Sequence, residues 1–431
     1  MTRVFGAIGI ALLVSTSAGG QEPTVEIPPI ERKALSLGGY FELRPAIVWL
    51  DTSAVLFKLQ SSPDDPVETR NTQLNARLQL DAGYSRSWFS AQTRTVVEGG
   101  YASSAWSRDA SVYEAYVSLK PTPALTLDAG KKTLKWGKGY LWNPAAFLDR
   151  AKSPEDPALA LEGFVVLSAD YIRTFGGPLQ VLSVTPVVIP VSGDLNGGFG
   201  ERDHLNLAGK LYALMWDTDI DVMYLSGGSR PARFGFDLSR NLWSNVEVHA
   251  ELARVPHAVT MILGENATLT SLEQPATNFV LGIRYLTATN TTFIADYFHS
   301  GAGYTPAETE RYFDLIQRGY DSLNLAGHDR LLVLARRATE AGYGRMNPMR
   351  NYAYARMTQP DALGVLHLLL GASAIVNLDD RSHSLLPEVQ YKPAENVELR
   401  ALANLQRGGA RTEFGEKRAK VRLEMRARYY F

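Results

Sequence analysis

The C-terminal segment, residues 421–431, constrains the fold more than any other part of the chain. Every second residue from Val421 onward is apolar or aromatic, and the chain ends on Phe431. A repeat of two residues is the period of a β-strand, whose successive side chains point to opposite faces. The segment therefore predicts a strand with one lipid-facing surface and one polar surface. The polar surface is arginine-rich, which a soluble sheet would rarely bury, and consists of Arg422, Glu424, Arg426, Arg428 and Tyr430.

The same alternation recurs along the chain. Residues 245–252 show it most clearly, with Glu247, His249 and Glu251 facing one way and apolar residues the other. The pattern breaks at Ala253, where we expect the strand to leave the membrane. Alternation and β-branched or aromatic content predict about 18 strands, in a range of roughly 16–18. They are residues 34–50, 74–84, 87–100, 111–120, 124–136, 163–174, 179–189, 205–216, 219–226, 231–239, 245–252, 277–288, 291–300, 350–358, 365–377, 382–392, 397–406 and 421–431.

Short and long connections alternate between these strands. The short ones are mostly rich in glycine, proline, asparagine or aspartate, as at residues 120–123 and 392–396, which suits tight turns. Bacterial barrels have short periplasmic turns and longer outer loops. The sequence therefore predicts an all-β fold, a transmembrane antiparallel up-and-down β-barrel with both ends of the barrel sheet on the periplasmic side. The long connections all fall on the other side and are residues 51–71, 137–162, 190–203, 256–274 and 301–349.

The N-terminus has the pattern of a secretory signal peptide. Arg3 is followed by an apolar run over residues 4–14 and by small residues, and the run is too short for a membrane-spanning helix. We expect cleavage after Gly20, a short periplasmic segment over residues 21–33 and a barrel over residues 34–431. The chain has no cysteine, which excludes lipoprotein processing. Its net charge of −1 gives no basic footprint for nucleic acid.

The longest outer loop has a helical pattern. Thr305 and Glu308 have the spacing of a capping box, with Pro306 in the first turn. Apolar residues then recur at helical spacing, and a second helix opens at Leu331. Residues 305–341 are therefore predicted to form a helical hairpin. Three positions are open for it: over the barrel mouth, inside the mouth or outside the barrel.

A second outer loop combines lysines, glycines and aromatic residues. Its Gly137-Lys138-Gly139 sequence lacks the spacing and the strand–loop–helix context of a phosphate-binding motif. One interpretation is an inward-folded constriction whose lysines attract anions. The other is an outer loop whose lysines meet surface phosphates or water, with its tryptophans in the aromatic girdle of the barrel. The candidate constriction residues are Lys132, Lys135, Trp136, Lys138, Tyr140 and Trp142.

The polar strand faces are predicted to line the barrel interior, because an Arg or Lys at mid-bilayer costs about 2–4 kcal/mol. One interpretation is a network of ion pairs that stiffens the wall. The other is a basic track for acidic solutes, gathered where the last two strands meet the first, since arginine binds carboxylate or phosphate bidentately. The track would consist of Arg400, Arg422, Arg426, Arg428 and Arg44. The candidate pore-lining residues are Arg44, Arg77, Arg94, Arg284, Arg356, Arg400, Arg422, Arg426, Arg428, Glu247, Glu251 and Glu424.

The sequence offers little for catalysis. Its seven histidines are scattered, and neither a GxSxG motif nor a paired-histidine metal spacing is present. His249, between Glu247 and Glu251, forms the best local cluster and is more simply part of a polar wall. We therefore expect a protein that is not an enzyme and that holds no catalytic residues, metal or cofactor.

Together these features resemble the outer-membrane β-barrels of Gram-negative bacteria, of the porin type, such as the larger monomeric substrate-selective and alginate-export channels. The resemblance covers the whole mature chain and implies an outer-membrane location among lipid and lipopolysaccharide. It also implies that the barrel-assembly machinery reads Tyr429 and Phe431 of the last strand. We expect a channel for passive or selective diffusion of small hydrophilic solutes, anions among them. The alternative is a closed barrel that acts as a scaffold, adhesin or secretion partner through residues 301–349.

Overall fold

An antiparallel sheet of 18 strands closes on itself to form a barrel. This computed structural model describes residues 34–60, 68–102 and 105–431. The predicted signal peptide, its cleavage site and the segment 21–33 lie outside the described residues. The predicted up-and-down barrel of about 18 strands is confirmed. The strands are β1 Leu35–Leu50, β2 Arg70–Ser85, β3 Phe89–Ala102, β4 Ala105–Thr122, β5 Leu125–Lys132, β6 Phe164–Thr174, β7 Leu179–Val191, β8 His204–Met215, β9 Thr218–Leu225, β10 Arg233–Trp243, β11 Val246–Leu263, β12 Leu269–Leu286, β13 Thr292–Ser300, β14 Asn351–Gln359, β15 Leu368–Asn377, β16 His383–Ala394, β17 Val397–Arg407 and β18 Ala419–Tyr430.

The last strand, β18, closes the barrel by pairing with β1. Glu42 lies opposite Arg428 in this register, and Phe431 exchanges two backbone hydrogen bonds of 3.1 Å with Gly39. Along β18 the apolar residues are exposed, as Met425 is at 68%, whereas Arg426 is only 6% exposed. The apolar face therefore points outward and the arginine-rich face points into the barrel, as the alternation predicted.

The connections at the two ends of the barrel differ in length, which confirms the predicted alternation. One end, the turn end, has short connections and holds the start of β1 and the end of β18. The other end, the loop end, holds the long ones. The turn-end connections are residues 86–88, 123–124, 175–178, 216–217, 244–245, 287–291, 360–367 and 395–396. The longer loop-end connections include residues 51–69, 133–163, 192–203 and 301–350.

The prediction of a long loop at residues 256–274 is wrong. β11 continues past Ala253 to Leu263, and β12 starts at Leu269, so that only a short turn separates them. The register between the two strands shifts between Val255 and Ala258. Pro256 lies in this irregularity, and a proline is tolerated in a strand at a bulge because it cannot donate to the ladder. The alternation that the sequence analysis followed ends before the bulge, because Ala253 is apolar on the inner face and Arg254 is charged on the outer face, although the strand itself continues.

The α-helices of the described residues lie at the loop end, and a short 3₁₀ turn, Ala362–Gly364, lies at the turn end. The α-helices are α1 Val55–Lys58, α2 Pro306–Ala326 and α3 Arg330–Ala338, followed by a π-helical turn Thr339–Tyr343. The predicted capping box is present, with Glu308 N–H donating to Thr305 Oγ1 at 3.3 Å, and Gly327 ends α2 in the left-handed conformation at φ 68°. The predicted helical hairpin is confirmed. Among the described residues, no helix is long and apolar enough to cross a membrane.

The helical hairpin packs onto loops from opposite walls of the barrel. Lys58 of α1, between β1 and β2, donates to Gln317 of α2 at 2.7 Å, and Arg311 of α2 donates to the carbonyl of Leu263, the end of β11, at 3.2 Å. β2 and β11 are half the circumference apart in the 18-stranded sheet. The hairpin and α1 therefore cover part of the barrel mouth. Their shared core includes Val55, Leu59, Leu263, Tyr304, Tyr312, Leu315, Ile316, Leu332 and Tyr343.

Candidate functional site in the barrel interior

The connection between β5 and β6, residues 133–163, enters the barrel and is named here the inward segment. Near its start, Lys138 Nζ lies 3.1 Å from a carboxylate oxygen of Asp221 on β9. Near its end, Asp156 lies 2.5 Å from Arg426 on β18 and 3.4 Å from Arg400 on β17. Because these partners lie on separate parts of the wall, the segment crosses the interior and narrows it.

Glu251 on β11 is the main anchor of the inward segment. Its Oε1 accepts the backbone N–H groups of Lys138 and Gly139, each at 2.5 Å, and the side-chain amide of Asn143 at 2.8 Å. Its Oε2 accepts the N–H of Ala145 at 3.1 Å. A Cβ at Gly139 would lie 2.1 Å from a backbone oxygen, so this close wrap requires glycine. The backbone at Lys138 and Gly139 thus binds a carboxylate of the chain itself.

A second carboxylate, Asp149, fixes the turn by which the inward segment leaves β5. It accepts the backbone N–H groups of Leu134, Lys135 and Trp136 at 3.2, 3.0 and 2.7 Å. Burial raises the pKa of Asp149 against these hydrogen bonds. Lys135 has a left-handed backbone, with φ 56°. The chain therefore bends away from the wall, which is why β5 ends at Lys132 and not at residue 136 as predicted.

The predicted lysines have different surroundings. Lys132 pairs with Asp128 at 2.5 Å, whereas Lys135 is exposed toward the cavity described below. Lys138 pairs with Asp221, and although burial opposes its charge, Asp221 and Asp237 outweigh burial and raise the pKa of Lys138. Lys132 and Lys138 are therefore ion-paired, whereas Lys135 has no ion pair among the described residues.

The predicted aromatic residues lie inside the barrel and not in an aromatic girdle. Trp136 is 4% exposed and packs with Phe147 in an apolar cluster. Trp142 stacks on Phe298 with ring centroids 5.1 Å apart. The backbone N–H of Tyr140 donates to Asp296 at 3.3 Å. Each of the three side chains belongs to the packing of the inward segment against the wall.

The predicted wall arginines point inward and are all paired. The basic residues of β17, β18 and β1 do come together at the barrel closure, but carboxylates are interleaved with them. This arrangement is the ion-pair network of the first interpretation, and little of the proposed basic track carries unbalanced charge. With N···O distances of 2.5 to 3.5 Å, the pairs are Arg44–Glu98, Arg77–Glu98, Arg94–Asp81, Arg284–Glu247, Arg356–Glu388, Arg400–Glu388, Arg422–Glu424, Arg426–Asp156 and Arg428–Glu42.

The histidine cluster is part of this polar wall. His249 Nε2 lies 3.1 Å from Asp296 Oδ1, and Glu247 is 4.0 Å from the other ring nitrogen. Tyr140 of the inward segment meets the His249 ring edge-on at 5.3 Å. Within the part of the chain that the structure describes, no group of three metal-ligating side chains is found.

Sequence reasoning missed an apolar region inside the barrel. Inward-facing residues at the loop ends of β6 to β9 are apolar and pack against the inward segment. The signal was present in β7, where both faces of residues 179–191 are largely apolar. This apolar cluster excludes water from one side of the barrel wall beneath the loop end. It contains Trp136, Phe147, Phe164, Val187, Ile189, Val191, Phe199, Met223 and Leu225.

A cavity of about 820 Å³ runs beside the inward segment. Arg233, at the loop end of β10, and Met346 line one end of it, while Tyr40 and Arg428, near the turn end of β1 and β18, line the other. A second cavity of about 510 Å³ is lined by Lys138 and its neighbours in the inward segment and by residues of β13, β14, β16 and β17. The larger cavity has seven basic and three acidic lining residues, which are Arg94, Lys135, Arg150, Lys152, Arg230, Arg233, Arg428, Glu114, Asp149 and Asp156.

Solved structures of similar architecture are outer-membrane porins. Pseudomonas aeruginosa OccK5 (OpdH) is 12% identical with a TM-score of 0.50, covering 92% of this chain and 98% of its own. Acinetobacter baumannii OccAB1 is 10% identical with a TM-score of 0.50, covering 92% and 96%. Salmonella typhi OmpF, solved with daunomycin, is 10% identical with a TM-score of 0.44, covering 92% and 97%. No family model and no curated protein matches the chain. At these identities the likeness establishes the porin-type barrel fold.

Proposed function

We propose that this chain is an outer-membrane channel through which small hydrophilic solutes diffuse, with anions favoured. The observation that carries the proposal is the larger cavity, which extends from the loop end toward the turn end beside the inward segment. Solutes follow this route without an energy source. The inward segment sets the width, and its anchoring by Glu251 keeps that width constant.

The preference for anions rests on the charge of the cavity lining. Its basic residues outnumber its acidic ones, as the residues given above show. Asp149 uses its carboxylate on three backbone amides, and Asp156 is paired with Arg426. The positive residues that remain unpaired raise the local concentration of anions, because a low-dielectric wall focuses their field.

Liposome swelling tests this function with solutes of matched size. Vesicles that contain the refolded protein are expected to swell faster in an anionic solute than in a neutral or cationic one of equal mass. Vesicles that swell equally in all three contradict the anion preference alone. Vesicles that do not swell in any of them contradict the channel.

One feature favours the alternative function of a scaffold or partner-binding barrel. The helical hairpin and α1 have a common buried core over the mouth, so together they present a folded surface at the loop end. In this alternative the hairpin binds a partner outside the cell. The chain reaches its membrane in either case through recognition of Tyr429 and Phe431, both exposed on the outer face of the last strand, and lipopolysaccharide surrounds the loop end.

A further inference from the structure

Two arginines at the loop end of the larger cavity differ from the nine wall arginines. Arg230 lies in the connection between β9 and β10, and Arg233 is the first residue of β10. Both line the cavity. Among the described residues, no carboxylate oxygen lies within salt-bridge distance, 4.0 Å, of either guanidinium group. These two charges are therefore not balanced by the chain.

The hydrogen bonds of these arginines leave donors free toward the cavity. Arg230 donates through Nε to the carbonyl of Phe199 and through NH1 to the carbonyl of Phe147, the latter at 3.2 Å. Arg233 donates through Nε to Pro231 O at 3.2 Å. Within the described ranges, the two terminal nitrogens of Arg233 and one of Arg230 have no acceptor. A guanidinium has five donors in a planar fork, so most of the fork of Arg233 is available to a ligand.

Each of these two guanidinium groups lies near an aromatic ring, Arg233 at 5.7 Å from the Phe147 ring. Arg230 lies 4.2 Å from the Phe199 ring and 6.0 Å from the Phe164 ring, and Arg150 of the inward segment lies 4.9 Å from the same Phe164 ring. Arg150 has a carboxylate partner, Glu162, at 2.9 Å. Burial, together with Arg233 and Arg150, lowers the pKa of Arg230 to about 10. Among the described residues, Arg150 has a carboxylate partner whereas Arg230 and Arg233 have none, so two positive charges of this half-buried group are not neutralised.

Half-buried like charges without a counter-charge are costly, and an anion placed between them removes that cost. We propose that Arg230 and Arg233 form a binding site for the oxyanion of a solute, a carboxylate or a phosphate group, at the loop end of the barrel interior. A carboxylate and a phosphate group can each present two oxygens side by side, and the planar donor fork of a guanidinium group matches that arrangement. The site deepens the proposed function and rests on it only for the route by which the anion arrives and leaves.

Calorimetric titration of the full chain in detergent tests the site without requiring conduction. The probes are inorganic phosphate and acetate, used separately at constant ionic strength. We expect saturable binding of at least one probe, weakened roughly tenfold or more in Arg233→Gln, because hydrogen bonds to charged groups contribute at least that much. Arg233→Gln is the primary variant, since Arg230 also holds two backbone carbonyls and its loss disturbs the loop.

Arg254→Gln is the matched control. Arg254 lies on β11, is exposed on the outer face and donates to Thr277 Oγ1 at 2.6 Å, so the variant makes the same charge change away from the cavity. It is expected to bind the probes as the unmodified chain does. Phosphate-only binding assigns the site to phosphate, and acetate-only binding assigns it to carboxylate.

Two results overturn the site: no saturable binding of either probe, or equal binding by Arg233→Gln and the unmodified chain. A barrel that conducts but does not bind refutes the site and leaves the channel intact. A barrel that binds but does not conduct refutes the channel and leaves the site intact.

Discussion

Replacement of Glu251 by alanine is expected to release the inward segment and to widen the channel. The carboxylate accepts four hydrogen bonds from residues 138–145 at 2.5 to 3.1 Å. At the lower end of the range for a charged acceptor, about 1.5 kcal/mol each, the four represent roughly 6 kcal/mol. Two of these donors, the backbone N–H groups of Gly139 and Ala145, are buried and would otherwise stay unpaired inside the barrel. Detachment of the segment exposes these donors to water in the adjacent cavity. It therefore lowers the free-energy cost of leaving them unpaired.

The assay for Glu251→Ala is single-channel recording of the refolded variant. We expect a higher conductance than that of the unmodified chain and larger current fluctuations, because a detached segment moves in and out of the pathway. The ion pairs of Asp156 with Arg400 and Arg426 still hold its far end. The barrel itself is therefore expected to stay folded, which circular dichroism checks.

Glu247→Gln is the matched control for this prediction. Glu247 lies four residues earlier on β11, faces the same way, and pairs with Arg284 at 3.5 Å. The Glu247→Gln substitution removes one negative charge, as Glu251→Ala does, but leaves the hydrogen bonds of the inward segment in place. Equal conductance of Glu251→Ala and Glu247→Gln would refute the reasoning, because charge and not anchoring would then account for any change.

Three further predictions follow from the structure. Lys135→Gln should shift the reversal potential toward cations, because the exposed Lys135 lines the larger cavity; Lys138→Gln, whose lysine is paired with Asp221, should shift it less, and the reverse order would contradict this. Replacement of residues 306–341 by a short Gly-Ser linker should raise conductance, since the hairpin covers part of the mouth; unchanged conductance would place it clear of the pathway. Anion preference should fall as pH rises through about 10, because burial lowers the pKa of Arg230 to about 10 and also lowers the pKa of Lys152 in the same lining, and Arg230→Gln should show a smaller fall; an identical fall in both chains would assign it to other groups.

The barrel could be predicted from sequence because its signals are local. A period of two fixes the strand faces, and short polar connections mark the turn end. The capping box at Thr305 is likewise contained within four residues. The failure at residues 256–274 has the same origin, since the inward Ala253 and the outward Arg254 reverse the local pattern while the pairing with β12 continues.

The path of the inward segment could not be predicted, because its partners are distant in sequence. Glu251 is more than 100 residues from Gly139, and Arg426 is 270 residues from Asp156. Alternation also predicts which way an arginine points but not its partner. The register of neighbouring strands and the inward segment set Arg428 beside Glu42 and Arg426 beside Asp156. Arg230 and Arg233 gave no sequence signal, since Arg230 lies in a short connection without periodicity and Arg233 directly follows it.

Single-channel recording of the refolded protein in a planar bilayer, with reversal potentials in a salt gradient, tests the central claim most directly. The claim is that a route beside the inward segment conducts small solutes and favours anions. We predict steady open events of constant size, with a reversal potential on the anion-selective side. Silent bilayers that contain demonstrably folded barrels would contradict the channel, and the folded loop end would then become the functional surface to investigate.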